Sequence, residues 1–149
     1  MLSRIAIPLI AAAGLAFACG PQTPNPVANV RPRAGGDRGL VSHVMVDTAG
    51  GAVRFAIEVL NDSRKRVELA FPDGRTHDFA VYDSTGREVW RWSTGRLYTQ
   101  TMQNRLLDAR DAAVFDEQWS EPAPGRYTLV AQLRSENYPV QQRVDFALR

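Results

Sequence analysis

Hydrophobic and polar residues alternate along most of the chain from residue 40 onward. The clearest run extends from Ala52 to Leu60, where every second position is hydrophobic: Val53, Phe55, Ile57 and Val59. A period of two places the hydrophobic side chains on one face of an extended strand and the others on the opposite face. The runs end at clusters of Asn, Asp, Ser, Pro or Gly, which favour turns. The pattern therefore predicts β-strands that each bury one face.

About nine such runs follow one another at spacings of roughly 8 to 12 residues, and no long helical period interrupts them. The segment from Leu97 to Met102 fits either a short strand or an extended loop. Regular short strands of this kind are typical of antiparallel sandwiches of immunoglobulin-like size. We therefore expect residues 40–149 to form one all-β domain, an antiparallel immunoglobulin-like β-sandwich. A small closed barrel is the alternative.

The first 18 residues have the pattern of an export signal. Arg4 precedes a run without charges from Ile5 to Ala18. A membrane span needs about 20 apolar residues, whereas the apolar region of a signal peptide needs about 7 to 15, so the run fits a signal peptide. The run ends in small residues directly before Cys19, which predicts cleavage after Ala18.

Cys19 is the only cysteine, so it has no partner for an intramolecular disulfide. Two types of signal peptidase would cut before it. The sequence resembles the lipobox of bacterial lipoproteins, in which the cysteine becomes a diacylated N-terminus. Ordinary Ala-x-Ala cleavage would instead leave a free thiol. We favour the lipoprotein signal peptide over residues 1–18, because a lone cysteine at the end of an apolar run is unexpected by chance.

Residues 19–39 are interpreted as the acylated cysteine followed by a disordered linker rich in Pro and Gly. Linkers rich in proline favour an extended conformation, which would hold the domain away from a membrane. Gly20 follows the cysteine and favours the outer membrane, with the domain facing the periplasm. The expected location is thus the cell envelope, reached through a lipid anchor.

The charge pattern argues against a nucleic-acid partner. The 18 basic and 16 acidic residues are interspersed and give a net charge of +2. A protein that binds nucleic acid needs a basic face that contacts phosphates. Hydrophobic residues make up 44% of the chain, which is enough for an ordinary folded core.

The sequence shows no catalytic constellation, metal site or cofactor motif. The only histidines, His43 and His77, have no spacing to other ligands that would suit a metal. His77 and Asp78 are adjacent, so their side chains should leave a strand on opposite faces. We expect both histidines at polar rim positions. No nucleophile elbow or phosphate-binding glycine motif is present, and we expect a protein that is not an enzyme.

Two tryptophans lie two residues apart, so Trp90 and Trp92 should share one face of a strand, with Arg91 and Ser93 on the other. Such a pair forms either a platform for a ligand or part of a core. We favour core packing for at least one of them.

The most distinctive stretch extends from Phe71 to Ser93 and reads as strand, turn, strand, turn, strand. It contains Asp78-Phe79 in the second strand and Glu88-Val89-Trp90-Arg91-Trp92-Ser93 in the third. The pattern is completed by Asn61, Phe71, Gly74, Val81, Asp83 and Gly86. These residues resemble the recurring pattern of the BsuPI family, the group named for an intracellular proteinase inhibitor.

The resemblance continues downstream through Phe115, Trp119 and Pro124-Gly125-Arg126-Tyr127, and it covers nearly all of residues 40–149. The chain departs from the family at Asp108-Ala109-Arg110-Asp111, which changes a turn. The motif residues are interpreted as mostly structural: Phe71, Gly74, Asp78, Phe79, Gly86, Trp90, Trp92, Trp119 and Tyr127.

The resemblance implies a β-sandwich and a proteinase inhibitor. An inhibitor without a nucleophile or metal must block an enzyme by occupying its cleft with a loop or edge strand. Two loops are candidates, and their residues are Asn61, Asp62, Ser93, Gly95, Arg96 and Leu97. Of these, Arg96 or Leu97 would enter a specificity pocket.

The expected partner is a serine protease or another envelope protein, together with the membrane through the lipid on Cys19. One alternative is an envelope assembly module without inhibitory action. Another is a sandwich that binds a sugar or small ligand, which partial burial of Trp90, Trp92 and Trp119 would favour.

Overall fold

The alternating runs form β-strands in the computed structural model, which describes residues 39–149. Nine strands follow one another in the chain: β1 (Leu40–Asp47), β2 (Val53–Asn61), β3 (Val67–Phe71), β4 (His77–Asp83), β5 (Glu88–Arg91), β6 (Gln103–Leu107), β7 (Ala112–Trp119), β8 (Gly125–Leu133) and β9 (Val140–Leu148). The predictions for the signal peptide, the acylation of Cys19 and the linker up to residue 38 lie outside the described residues.

The strands form a sandwich in which every pairing is antiparallel. One sheet has the order β1-β2-β7 and the other the order β5-β4-β8-β9, while β3 and β6 form a separate pair. Strand β1 lies beside β9, so the two sheets approach each other along that side. The prediction of an all-β antiparallel sandwich is confirmed, and the arrangement is compatible with an immunoglobulin-like one.

The core is built mainly from the alternate positions that the pattern predicted. In β2 the side chains of Phe55, Ile57 and Val59 are fully buried, and they pack with Phe79 and Leu129 from the opposite sheet. A shift of the pairing by one residue would move all of these side chains to the solvent face. The buried face therefore sets the register of β2 against both of its neighbours.

The chain bends where the β1-β2-β7 sheet leads into the separate β3-β6 pair. Strands β2 and β3 follow one another, and they pair with β7 and β6 respectively, with Leu60 opposite Ala112 and Val67 opposite Leu107. The buried side chain of Asn61 holds the bend between them. Its amide nitrogen donates hydrogen bonds to the carbonyl oxygens of Lys65, Leu107 and Asp108, at 2.7, 3.1 and 2.9 Å. Because these hydrogen bonds replace those to water, burial of the amide costs little free energy. They also join the end of β2 to the residues just before β3 and to the end of β6.

Two expectations about local structure are settled. The segment from Leu97 to Met102 is a loop, because the next strand begins only at Gln103. The rim position predicted for His77 is wrong, because this side chain is buried at 8% exposure. The ring packs against Phe79 of its own sheet and Phe115 of the opposite sheet. These aromatic rings shield it from the water that would surround a side chain at the rim.

Candidate functional site

Two connections between the layers lie side by side at one edge of the sandwich. The first crossover, residues 72–76, joins β3 to β4, and the second crossover, residues 92–102, joins β5 to β6. The Gly74 amide donates a hydrogen bond to the carbonyl oxygen of Thr99 at 2.9 Å. A Cβ atom at Gly74 would lie 2.6 Å from Thr99 Oγ1 and 3.2 Å from Thr99 N. This close approach requires glycine at position 74.

Asp78 ties both crossovers to β4 and β5. Its side chain is 1% exposed, and its Oδ2 atom accepts hydrogen bonds from Arg75, from Arg91 Nη1 at 2.7 Å and from Ser93 Oγ at 3.0 Å. Arg75 belongs to the first crossover and Ser93 to the second. One buried carboxylate on β4 therefore contacts the first crossover, β5 and the second crossover. The prediction that Asp78 and His77 leave β4 on opposite faces is confirmed.

The charge of Asp78 is stabilised by its donors. Burial by itself would raise the pKa of this carboxyl, but the hydrogen bonds from Arg91, Arg75 and Ser93 outweigh burial and hold the pKa below its ordinary value. Arg91 also donates to Glu88 at 2.6 Å, and the bond to Glu88 is the main reason that the pKa of Arg91 is raised. The Asp78 carboxylate is therefore ionised throughout the neutral pH range. Together with Arg75, Arg91 and Ser93 it forms the Asp78 cluster.

Trp92 organises the second crossover. His77 stacks on its ring with centroids 4.3 Å apart and an interplanar angle of 20°, and Tyr98 packs at 5.7 Å. The Arg96 guanidinium carbon lies 4.7 Å from the ring centroid, and Arg96 Nε donates to the Trp92 carbonyl oxygen at 3.0 Å. A cation over an indole face is a favourable contact. The crossover thus folds back on its own first residue.

His77 links this arrangement to the opposite sheet. Its Nε2 atom lies 3.3 Å from Glu117 Oε1 of β7, and its Nδ1 atom lies 3.0 Å from Thr76 Oγ1. Burial lowers the pKa of His77, and the neighbouring carboxylate of Glu117 only partly offsets this effect. The neutral ring is therefore the favoured form in the folded protein. The stack of His77 on Trp92 could not be predicted from the alternation of residues, because it follows from the pairing that places Trp92 beside Phe79 of β4.

The candidate loop from Ser93 to Leu97 is anchored except at its end. The Ser93 side chain donates to Asp78, and the Arg96 side chain donates to the Trp92 carbonyl oxygen. The Arg96 amide also donates to the Ser93 carbonyl oxygen at 3.3 Å. Gly95 has φ +74°, a conformation that glycine adopts without strain. The Leu97 side chain is 100% exposed. Of the two residues proposed for a specificity pocket, Leu97 alone points freely into solvent.

The second candidate loop, from Asn61 to Lys65, has a different character. Asn61 is buried and holds the bend described above, so its side chain is not available to a partner. Asn61 therefore supports this candidate loop from within the domain. Asp62 is exposed and forms an ion pair with Arg110 of the neighbouring turn. No hydrogen bond or ion pair among residues 39–149 joins this loop to the second crossover.

All three tryptophans are partly buried and pack against the core. Trp90 stacks on Trp119 at 6.1 Å and 24°, and Trp119 meets Tyr127 edge-on at 5.2 Å. Tyr127 and Phe146 also border an open groove of about 480 Å³. Partial burial is the condition under which a ligand-binding sandwich was expected. The aromatic contacts equally meet the expectation of core packing for at least one tryptophan.

The remaining motif residues are placed in the frame of the domain. Phe71 and Phe79 are fully buried core residues, and Gly86 has φ +83° in the turn between β4 and β5. A second open groove, of about 410 Å³, lies between β6 and β7, where Arg105 covers Phe115.

Residues 39–149 contain no cluster of three or more His, Asp or Glu side chains suited to a metal ion. No helix in that range is long and apolar enough to cross a membrane.

A family model described as BsuPI, intracellular proteinase inhibitor, matches residues 40–138. The match includes both crossovers, the Asp78 cluster and the bend at Asn61. No curated protein matches the chain.

Three solved structures are similar to part of the chain. A β-glucosidase from Erythrobacter marinus is 16% identical over 66% of this chain and 13% of its own, with a TM-score of 0.35. A β-glucosidase from Listeria innocua is 12% identical over 71% and 16%, with a TM-score of 0.36. A DUF1425 family member from a Shewanella species is 14% identical over 76% and 92%, with a TM-score of 0.34. The chain therefore spans less than one fifth of either glucosidase.

Proposed function

The chain belongs to the BsuPI family of intracellular proteinase inhibitors, and on that basis we propose that its domain inhibits a serine protease by non-covalent binding. Such an inhibitor needs no catalytic group of its own. It needs a segment that enters the cleft of the enzyme and stays there without being degraded.

The observation that carries this proposal is the anchoring of the second crossover. Asp78 binds it at Ser93, Gly74 binds it at Thr99, and the ring of Trp92 lies under Arg96. A loop that is already ordered loses little conformational entropy when it binds, so more of the contact energy appears as affinity. The same rigidity opposes the distortion that cleavage of the loop would require.

We place this activity in the cell envelope. The proposed lipid on Cys19 would fix the protein to a membrane, and the Pro- and Gly-rich linker would let the domain reach a protease in the periplasm. The family is named for an intracellular inhibitor, so the natural target of this chain would be a different protease.

Inhibition by residues 38–149 against subtilisin, chymotrypsin and trypsin tests the proposal. We expect inhibition of at least one enzyme, with the domain intact after hours of incubation. Cooperative thermal unfolding of the same preparation shows that the domain is folded. A folded domain that resists cleavage but inhibits none of the three would argue against inhibition and leave an envelope assembly module as the better account.

A second candidate function is binding of a small ligand such as a sugar. The partial burial of Trp90, Trp92 and Trp119 favours it, together with the groove bordered by Tyr127 and Phe146. Aromatic rings at a groove supply the flat apolar contacts that such ligands use. Titration of tryptophan fluorescence with glucose, chitobiose and cellobiose tests this function. A saturable change that Tyr127→Ala abolishes would support it, and unchanged spectra would count against it.

A further inference from the structure

We propose that Leu97 is the residue that enters the specificity pocket of the target, and that the target is therefore a serine protease with an apolar pocket. This inference rests on the proposed inhibitory function and adds the class of enzyme to it. A protease whose pocket carries a carboxylate prefers Arg or Lys, whereas an apolar slot prefers a large hydrophobic side chain. Whether Arg96 or Leu97 enters the pocket therefore decides the class of protease that the domain inhibits.

Arg96 is engaged with its own domain. Its guanidinium lies 4.7 Å from the Trp92 ring centroid, and its Nε atom donates to the Trp92 carbonyl oxygen at 3.0 Å. Insertion into a pocket would break both contacts. Because these contacts also hold the turn from Ser93 to Arg96, their loss would loosen the segment that has to bind. Arg96 thus serves as a clamp of the crossover.

Leu97 has the opposite environment. Its side chain is 100% exposed, so no contact within residues 39–149 has to be given up when it enters a pocket. The residues on either side are already placed, because Arg96 lies over the Trp92 ring and Tyr98 packs against the same ring at a tilt. Binding would therefore order one side chain on a preformed support. Burial of a leucine in an apolar pocket is favourable because it removes apolar surface from water.

The other exposed large hydrophobic side chains are less suitable. Val89, Leu106 and Val114 lie within strands, and Met102 immediately precedes one. Their exposed fractions range from 37% to 63%, so each remains partly covered by its own domain. An isolated exposed hydrophobic residue is common on protein surfaces and indicates nothing by itself. At Leu97 the exposure coincides with an anchored loop in a family of inhibitors.

The test compares the inhibition constants of four forms of residues 38–149 against chymotrypsin, subtilisin and trypsin. We expect the unaltered domain to inhibit an enzyme with an apolar pocket and to inhibit trypsin at least tenfold less well. Leu97→Ala should weaken inhibition of the sensitive enzyme by tenfold or more. Leu97→Arg should weaken it as well and should improve inhibition of trypsin. Leu106→Ala is the matched control, a leucine on β6 that is also largely exposed, and its inhibition should stay within twofold.

The outcomes separate this inference from the proposed function. Inhibition that Leu97→Ala leaves unchanged would overturn the role of Leu97 but leave the inhibitory function in place. Preferential inhibition of trypsin by the unaltered domain would do the same for the proposed enzyme class. No inhibition by any form, with the domain folded, would overturn both. Because the Leu97 side chain is fully exposed, the two Leu97 variants should unfold at the same temperature as the unaltered form.

Discussion

At the scale of single residues, Asp78 contributes most to the order of the candidate site. Its carboxylate is buried and accepts hydrogen bonds from two arginines and a serine that belong to different segments. A buried carboxylate is costly unless such partners are present. By contrast, Asp108 forms an ion pair with Arg66 in which both side chains are largely exposed. Solvent screens a pair of that kind, and its contribution is small.

Substitution of these two aspartates provides the first prediction. Asp78→Asn should lower the free energy of unfolding by about 3 kcal/mol, because removal of one partner of a buried ion pair leaves the other charges uncompensated. Asp108→Asn, the matched control, should lower it by less than about 1 kcal/mol. Chemical denaturation of both variants measures the difference. Equal losses at the two positions would contradict the role assigned to Asp78.

His77 should make stability depend on pH. Because burial lowers its pKa in the folded state, the unfolded chain binds more protons than the native protein as the pH falls below about 6.5. Stability from this residue is therefore fully present above about pH 6.5 and is lost as the pH falls toward the lower native pKa. The hydrogen bond and the charge of Glu117 reduce the effect, as do the charges of Asp78 and Asp116, but together they do not reverse it.

The prediction is that the free energy of unfolding falls between pH 7.5 and 5.5, by at most about 1.4 kcal/mol per pH unit. His77→Phe keeps an aromatic ring on Trp92 and should flatten the dependence in this range. The matched control His43→Phe leaves His77 in place and should retain the slope. Denaturation curves at several pH values measure it, and an unchanged slope in His77→Phe would show that another group is responsible.

At the scale of elements, the two crossovers act as one unit because they touch at Gly74 and Thr99. The Gly74 amide donates to Thr99, and no room exists for a side chain between them. The second crossover, which is proposed to enter a protease, is therefore supported by the first crossover. The two crossovers are separated in the chain by β4 and β5. Anything that separates the crossovers should disturb the loop before it disturbs the sheets.

Gly74→Ala tests this coupling. The added methyl group would press on Thr99, and such overpacking costs about 1–3 kcal/mol. We expect lower stability and faster cleavage within residues 92–102 by a non-target protease. Thr99→Ala removes the nearest atom and should recover part of the loss when combined with Gly74→Ala. Additive effects of the two substitutions would show that the crossovers are not coupled.

The same elements show why the sequence was informative in some places and not in others. Strand β2 was predictable because its alternate residues are fully buried, so hydrophobicity reports the geometry directly. Strand β6 gave no such signal, since four of its five side chains are exposed and its pairing with β3 defines it. The opposite faces of His77 and Asp78 followed from strand geometry. The stack of His77 on Trp92 depends on how β5 pairs with β4, which no local pattern encodes.

At the scale of the whole molecule, the domain combines a sandwich with one anchored, exposed loop. Both sheets contribute to a single core, and Trp92 of the second crossover packs against it. An inhibitor of this design depends on the scaffold for rigidity and on the loop for specificity. The proposed lipid anchor would add a fixed location and would not alter the binding surface, because Cys19 precedes the domain by about twenty residues in the sequence.

Titration of a known amount of active chymotrypsin or subtilisin with folded residues 38–149 measures whether the domain inhibits a serine protease and with what stoichiometry. We predict that the activity of one of these enzymes falls in proportion to added domain and reaches its minimum near one equivalent. The domain should be recovered uncut after prolonged incubation. Undiminished activity of both enzymes in the presence of excess folded domain would contradict the account, as would cleavage of the domain in step with recovery of activity.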